Sequence, residues 1–142
     1  MLPPWLRLSI IRATQQNFTV SAAAIITNPK GEVLLLNHLL RPYSGWGLPG
    51  GFLNAAEQPE EAIRRELREE TGLELENLKM FSVRTVGRHV EILFRAQSAS
   101  DASVQSREIL ELGWFGRDNL PEGLPRSQKE IVKRLISSSN QR

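Results

Sequence analysis

The feature that most constrains this chain is a glycine-rich loop followed by a helix that is dense in carboxylates. A proline opens and a glycine closes the helical stretch at residues 59–72, and these are the residue types preferred at the first helical position and just past the last one. Glu66, Glu69 and Glu70 follow the spacing i, i+3 and i+4. At about 3.6 residues per turn, this spacing predicts three carboxylates on one face of the helix.

Three carboxylates on one helix face repel one another, and like-charge pairs at this spacing cost a few tenths of a kcal/mol even in water. A divalent cation would reverse this cost, because carboxylate oxygens can hold Mg²⁺ ions that in turn bind phosphate oxygens. The glycines before the helix let the backbone come close to a metal or a phosphate, and the Gly50 carbonyl is well placed for this. The spacing alone also fits an ordinary solvated helix, salt-bridged to Arg64, Arg65 and Arg68.

Composition narrows the chemistry that the chain can support. Its 142 residues are the size of one domain, and no cysteine is present, which excludes disulfides, thiolate zinc sites, iron–sulfur clusters and cysteine nucleophiles. With only His38 and His89 as imidazoles, a metal must be held mainly by oxygen, which favours Mg²⁺, Mn²⁺ or Ca²⁺. The net charge of +2 is weak support for nucleic-acid binding. No apolar run predicts a membrane span or a secretory signal, so we expect a cytoplasmic protein.

The order of the predicted elements indicates a mixed α/β domain with a sheet between helical layers. Helices are expected at residues 59–71 and 126–137, a loop at residues 41–53 and a polar loop at residues 97–106. The first two strands are expected to form a hairpin, since a turn signal separates them. Runs rich in apolar and β-branched residues predict strands at residues 18–27, 33–40, 78–86, 90–96 and 108–115.

Residues 1–15 are distinct from the domain expected at residues 16–142. After Pro3 and Pro4, the segment combines apolar side chains with Arg7 and Arg12, which predicts a short amphipathic helix. We expect this helix to pack on its own domain or on a second subunit, which would give a homodimer. A membrane-surface anchor is the alternative, although two basic residues give it little support.

The complete spacing of residues 51–73 is more informative than the three glutamates alone. This stretch resembles the Nudix box, a highly specific pattern that occupies about a sixth of the chain here. The resemblance implies a Nudix α/β/α sandwich with a mixed β-sheet. It also implies a hydrolase that cleaves a diphosphate linked to another moiety, with a divalent cation, usually Mg²⁺. All nine specified positions match: Gly51, Glu57, Arg65, Glu66, Leu67, Glu69, Glu70, Gly72 and Leu73.

The resemblance also implies which residues hold the metal. Glu66, Glu69 and Glu70 would be its ligands, with the Gly50 carbonyl as a further one. Glu57 would form a salt bridge with Arg65, and this salt bridge would fix the junction of loop and helix. Glu57 could also bind the metal through a water molecule.

The general base differs among members of the family. It can be a glutamate of the box, here Glu66 or Glu69, or a glutamate of a late loop, here Glu108 or Glu111. The base would take a proton from the water that attacks the diphosphate. We favour the late loop, while ordinary surface charge is the alternative for its two glutamates.

The substrate does not follow from the resemblance. The motifs of ADP-ribose, NADH and diadenosine polyphosphate hydrolases that follow the box in other members are absent here. Aromatic rings can stack on a base and arginines can pair with phosphate, although each of these side chains could instead be structural. The candidate substrate contacts are Arg41, Tyr43, Trp46, Arg84, Arg88, His89, Trp114 and Phe115.

Three functions remain open from the sequence. The first is a metal-dependent pyrophosphohydrolase for a small nucleotide substrate such as ADP-ribose, a nucleotide sugar or a nucleoside triphosphate. The second is a nucleotide-sensing domain without catalysis, which the intact set of box glutamates disfavours. The third is an RNA 5′-end pyrophosphohydrolase, which the modest charge and the lack of a basic stripe disfavour.

Overall fold

The structure, a computed structural model, describes residues 1–40, 45–98 and 100–139. Three helices and seven strands are present in this part of the chain. The helices are α1 (Pro4–Thr14), α2 (Pro59–Thr71) and α3 (Arg126–Ser139). The strands are β1 (Thr19–Thr27), β2 (Val33–His38), β3 (Trp46–Gly47), β4 (Gly50–Phe52), β5 (Glu76–Val86), β6 (His89–Gln97) and β7 (Ile109–Phe115).

The strands form one mixed sheet with β1 near its centre. The main path runs β3-β2-β1-β6-β5, while β4 pairs with β1 and β7 pairs with β2. The β1–β6 pair is parallel, whereas β5 pairs antiparallel with β6. The strand β4 lies antiparallel to β1 with Gly50 opposite Ala23, so it carries the glycine loop to the middle of the sheet.

Both faces of the central strand are buried, and each is covered by a different helix. Even-numbered residues of 22–26 join a core cluster that includes Ile63 and Leu67 of α2. The odd-numbered ones join a second cluster with Val132 and Ile136 of α3. Successive strand side chains point to opposite faces, so this run of small and branched residues serves two helical layers. The predicted α/β/α sandwich with a mixed sheet is therefore confirmed.

The local sequence defines both ends of α2. Pro59 occupies the first helical turn, and Glu61 Oε2 accepts the backbone N–H of Gln58 at 3.3 Å. At the other end Gly72 adopts φ 73°, a left-handed conformation that glycine takes at little cost, and its N–H donates to the carbonyl of Arg68. The predicted helix at residues 59–71 is thus present with these bounds.

Two details of the sheet differ from the sequence expectation. The stretch predicted as loop at residues 41–53 contains the short strands β3 and β4 in its described part. Glycines pair here through the backbone alone, so no apolar alternation marks the strands. The predicted hairpin is present as the Thr27–Val33 pair, but β2 makes most of its pairs with β7.

The N-terminal segment forms the expected helix, but no residue of α1 is buried. Its packing on its own domain is therefore slight in this structure, and packing on a second subunit stays a prediction. Trp5 is 69% exposed and Ile11 53%. Across residues 1–40, 45–98 and 100–139, no helix is both long and apolar enough to span a membrane.

Candidate active site

The glycine loop lies directly against the acidic face of α2. A Cβ atom at Gly51 would lie 2.5 Å from Glu66 Oε1, so only a glycine leaves room for that carboxylate. At Gly50 a Cβ atom would collide with the carbonyl oxygen of Ala22, and its φ of 150° is one that residues with a side chain rarely adopt. These two contacts show why β4 needs consecutive glycines where it passes between β1 and α2.

Arg65 joins the acids of the box into one cluster. Its Nε donates to Glu57 Oε2 at 2.7 Å and its Nη2 donates to Glu57 Oε1 at 3.0 Å, a bidentate pair. Its Nη1 contacts Glu66 Oε1 at 2.9 Å and Glu69 Oε2 at 3.3 Å. Nη2 also donates to the carbonyl of Phe52 at 3.2 Å, which ties the helix to β4. The predicted Glu57–Arg65 salt bridge is therefore present.

Two carboxyls of this cluster have pKa values that move in opposite directions. Hydrogen bonds from Arg65 and from the Asn54 N–H lower the pKa of Glu57 to about 2. Burial raises the pKa of Glu66, and the negative charges of Glu69 and Glu108 act in the same direction. The contacts with Arg65 oppose this rise only in part. Glu66 is therefore a carboxylate whose negative charge the protein alone does not fully compensate.

The box glutamates differ in exposure. The side chain of Glu66 is 16% exposed and that of Glu69 is 59% exposed, while Glu70 is a buried residue. Among the described residues, no three His, Asp or Glu side chains converge on a preassembled metal centre. The donors nevertheless fit a hard divalent cation, because they are carboxylate oxygens and one arginine is shared among Glu57, Glu66 and Glu69.

The two late-loop glutamates occupy different places. The charge of Glu108 contributes to the raised pKa of Glu66, so these two carboxyls lie within electrostatic reach of each other. Glu111 lies on β7 opposite Asn37 and accepts a hydrogen bond from Asn37 Nδ2 at 3.2 Å. The charge of Glu108 is thus linked to that of Glu66 on α2, while Glu111 is bonded to Asn37 of β2.

The aromatic candidates for substrate contact are partly buried on opposite faces of the sheet. Trp46 packs edge-on against Phe115 with their centroids 5.2 Å apart, in the cluster under α3. Trp114 packs against the cluster under α2. The expected contacts Arg41 and Tyr43 lie outside the described residues.

The polar candidates for substrate contact lie mainly on β5 and β6. Arg84 Nε donates to Glu91 Oε1 at 2.8 Å and lines a cavity of about 400 Å³ between β5 and α3. His89 bonds through Nδ1 to Thr19 Oγ1 at 2.7 Å and through Nε2 to Ser21 Oγ at 2.8 Å. Arg88 is exposed in the turn between the two strands.

Sequence reasoning missed one residue that supports the glycine loop. Gln128 of α3 is buried, and its Oε1 accepts the backbone N–H of Leu48 at 3.0 Å. Leu48 precedes Pro49 and Gly50, so this hydrogen bond connects α3 to the chain just before the glycine loop. The sequence did contain a signal for this contact. Gln128 lies on the same side of the helix as Val132 and Ile136, and a polar side chain on a buried face requires a hydrogen-bond partner.

Comparisons with known proteins agree with this geometry. The sequence profile of the NUDIX domain matches residues 17–135. The chain is 31% identical over 116 residues to the 8-oxo-dGDP phosphatase NUDT18 of Mus musculus, a match that covers 78% of this chain and 36% of that protein. It is 40% identical over 65 residues to the RNA pyrophosphohydrolase of Stutzerimonas stutzeri, covering 46% of this chain and 40% of that protein. The chain therefore spans well under half the length of both relatives.

A solved structure supports the same assignment. The crystal structure of the MutT NUDIX hydrolase from Burkholderia pseudomallei superposes with a TM-score of 0.74 at 29% sequence identity. The alignment covers 84% of this chain and 99% of that one. With the complete box on α2, the mixed sheet between two helices and a profile match over most of the chain, this protein belongs to the Nudix hydrolase family.

Proposed function

We propose that this protein is a divalent-metal-dependent pyrophosphohydrolase that cleaves the diphosphate linkage of a nucleotide or of a nucleoside diphosphate derivative. The observation that carries the proposal is the cluster around Arg65, which contacts both Glu66 and Glu69 on α2, with Glu66 lying against Gly51 of the glycine loop. Carboxylates repel an anionic substrate, so this cluster could bind a diphosphate only with a cation between the protein and the phosphate oxygens.

The residues that would hold the metal are Glu66, Glu69 and Glu70, with the Gly50 carbonyl as a further ligand. Mg²⁺ is the expected ion, and Mn²⁺ fits the same oxygen donors. When bound, the metal supplies Lewis acidity toward the diphosphate oxygens. Glu57 neutralises Arg65 and keeps the loop and the helix in register through their bidentate pair.

Glu108 is the proposed general base. It is exposed, so it keeps access to water, and its charge reaches the acidic face of α2 through its effect on Glu66. A carboxylate in this position takes the proton of the attacking water as the phosphorus–oxygen bond forms. Glu66 and Glu69 are the alternative bases within the box, and Glu111 is the weaker late candidate because its side chain is bonded to Asn37.

A small nucleotide is the substrate that the comparisons and the surface support best. The NUDT18 match covers 78% of this chain, and that relative is a phosphatase of 8-oxo-dGDP, a nucleoside diphosphate. Arg84, which could pair with a phosphate, lines a cavity of about 400 Å³ between β5 and α3. The match to the RNA pyrophosphohydrolase makes an RNA 5′ end the second candidate.

The test is product release from a substrate panel by the purified chain, with Mg²⁺, with Mn²⁺ and with chelator. The panel holds oxidised and normal nucleoside di- and triphosphates, ADP-ribose, nucleotide sugars and RNA with a 5′-triphosphate. Glu69→Gln removes one proposed ligand, and Glu60→Gln is the matched control, because Glu60 is exposed on the first turn of the same helix.

We expect turnover that requires the metal, is lost in Glu69→Gln and persists in Glu60→Gln. Hydrolysis of 5′-triphosphate RNA in preference to every small nucleotide would replace the proposed substrate class by the second candidate. Tight nucleotide binding by folded protein without turnover of any compound would contradict the enzymatic function and indicate a sensing domain.

A further inference from the structure

The turn that carries Glu108 is built around one hydroxyl group. The carbonyl of Ser106 accepts the N–H of Ile109 at 3.2 Å, which closes a four-residue turn. The hydroxyl of Ser106 accepts the N–H of Glu108 itself at 3.2 Å. Serine makes such local side-chain bonds readily in turns, and here both bonds hold the backbone at the proposed base.

The other side of Glu108 is held by the sheet. Its carbonyl accepts the N–H of Leu39 at 2.8 Å, just past the end of β2 and one residue before β7 begins. With its N–H held by Ser106 and its carbonyl by Leu39, the peptide groups on both sides of Glu108 are fixed. The direction in which the exposed side chain leaves the backbone is therefore set by these two bonds.

The loop that precedes Glu108 is also hydrogen-bonded to the C-terminal end of α2. The N–H of Ser103 donates to the carbonyl of Thr71 at 3.1 Å, and the N–H of Gln105 donates to the carbonyl of Glu70 at 3.0 Å. The terminal carbonyls of a helix have no partner within the helix, so the loop satisfies two of them. Only residue 106 and Arg107 separate these anchors from Glu108.

From these contacts we infer that Ser106 is a positioning residue, whose hydroxyl fixes the backbone from which the Glu108 side chain leaves, in a loop that is held to the C-terminal end of α2. The inference rests on the proposed function, in which Glu108 is the base. The link is short and direct: α2 holds the loop at Glu70, the loop ends in the Ser106 turn, and the turn holds Glu108.

The experiment compares three single variants in steady-state hydrolysis of the preferred substrate. Ser106→Ala removes the acceptor of the Glu108 N–H, whereas Ser106→Thr keeps it. Ser100→Ala is the matched control, since the Ser100 hydroxyl lies in the same loop but bonds to Ser98 Oγ at 3.1 Å. We expect Ser106→Ala to lower kcat by about tenfold while KM changes by less than about twofold, because a shifted base acts on the chemical step.

We expect Ser106→Thr to retain kcat within about twofold of wild type, and Ser100→Ala to match wild type. All three variants should unfold within a few degrees of wild type, because a single local side-chain hydrogen bond contributes about 0.5–1.5 kcal/mol to stability. A normal kcat in Ser106→Ala, or an equal loss in Ser100→Ala, would overturn the inference.

A double-mutant cycle with Glu108→Gln separates positioning from a general structural role. If Ser106 acts through Glu108, Ser106→Ala causes no further loss of kcat in the Glu108→Gln background. A full tenfold loss in both backgrounds, or full activity of Glu108→Gln alone, contradicts the inference while leaving a functional hydrolase. Failure of the proposed function is distinguishable from this, since wild type would then show no metal-dependent turnover.

Discussion

Substitution of Gly51 by alanine tests whether the glycine loop places Glu66. The added Cβ would lie 2.5 Å from Glu66 Oε1, 2.6 Å from its Cδ and 3.0 Å from its Oε2. Ordinary contacts of this kind begin at 3.4 Å, so the carboxylate must withdraw by about 1 Å. A displacement of about 1 Å at a reacting centre can cost about 100-fold in rate. We therefore expect kcat/KM to fall by about two orders of magnitude.

The same substitution should leave the stability of the fold nearly unchanged. The atoms that must move belong to the end of a flexible side chain, and no positive φ is found at Gly51. Alanine also reduces the conformational entropy of the unfolded chain, which stabilises by about 0.4–1 kcal/mol where the backbone permits it. The melting temperature should accordingly stay within about 3 °C of wild type.

The neighbouring glycine provides a contrast. A Cβ at Gly50 would collide with the Ala22 carbonyl oxygen and lie 2.8 Å from the Ala23 Cα, and these are backbone atoms of the central strand. We expect Gly50→Ala to cost about 3 kcal/mol or more, from overpacking and backbone strain together.

The assays for this pair are thermal unfolding and hydrolysis at a series of Mg²⁺ concentrations. If Gly51→Ala is folded and retains kcat/KM within about threefold, with an unchanged Mg²⁺ dependence, then the proposed role of Glu66 beside the loop is wrong.

Three further predictions concern the supports of the site. The pKa of Glu57 is about 2 in the folded protein, below its ordinary value of 4.5. The stability advantage of wild type over Glu57→Gln should therefore be fully present above pH 4.5 and disappear as the pH falls toward 2. Urea titrations at several pH values measure this difference in unfolding free energy, and a difference that grows in acid contradicts the prediction. Gln128→Leu leaves the buried Leu48 N–H without this acceptor and should lower the unfolding free energy by about 1–3 kcal/mol, together with kcat; an unchanged denaturation midpoint would argue against this. Deletion of residues 2–15 should leave the melting temperature within about 2 °C, because α1 buries no residue; calorimetry measures this, and sedimentation of both forms shows whether the segment joins two copies.

The sequence was sufficient to predict the helices and the core strands because their signals are local. Helix α2 has a proline at its start, a glycine at its end and a periodic apolar stripe, so its bounds were predictable. The strand β1 was predicted to begin at Phe18, one residue before its observed start at Thr19, because an aromatic residue is also typical of a strand. The salt bridge from Glu57 to Arg65 was predictable only through the family resemblance, since the two residues are eight positions apart in the chain.

Other features depended on long-range contacts that leave no local pattern. The pairing of β2 with β7 joins residues more than 70 positions apart, and β4 is formed largely by glycine backbone. The resemblance gave Glu108 and Glu111 equal standing as late-loop bases. Only the placement of Glu111 beside Asn37, and the electrostatic link from Glu108 to Glu66, separate the two. A sequence pattern can name the candidate acids of a site, but their neighbours in the folded chain depend on the register of the sheet.

The position of Arg65 explains how an acidic helix face can fold before a metal is bound. Glu66 is mostly buried, and an uncompensated buried carboxylate would cost several kcal/mol. A guanidinium can contact several acceptors at once because its five N–H donors are fixed in one plane, and here it reaches Glu57, Glu66, Glu69 and the Phe52 carbonyl. Burial raises the pKa of Glu66 in spite of these contacts, and the single arginine is shared among three carboxylates. One arginine thus stabilises the helix and the loop while leaving the electrostatic demand that a divalent cation would satisfy.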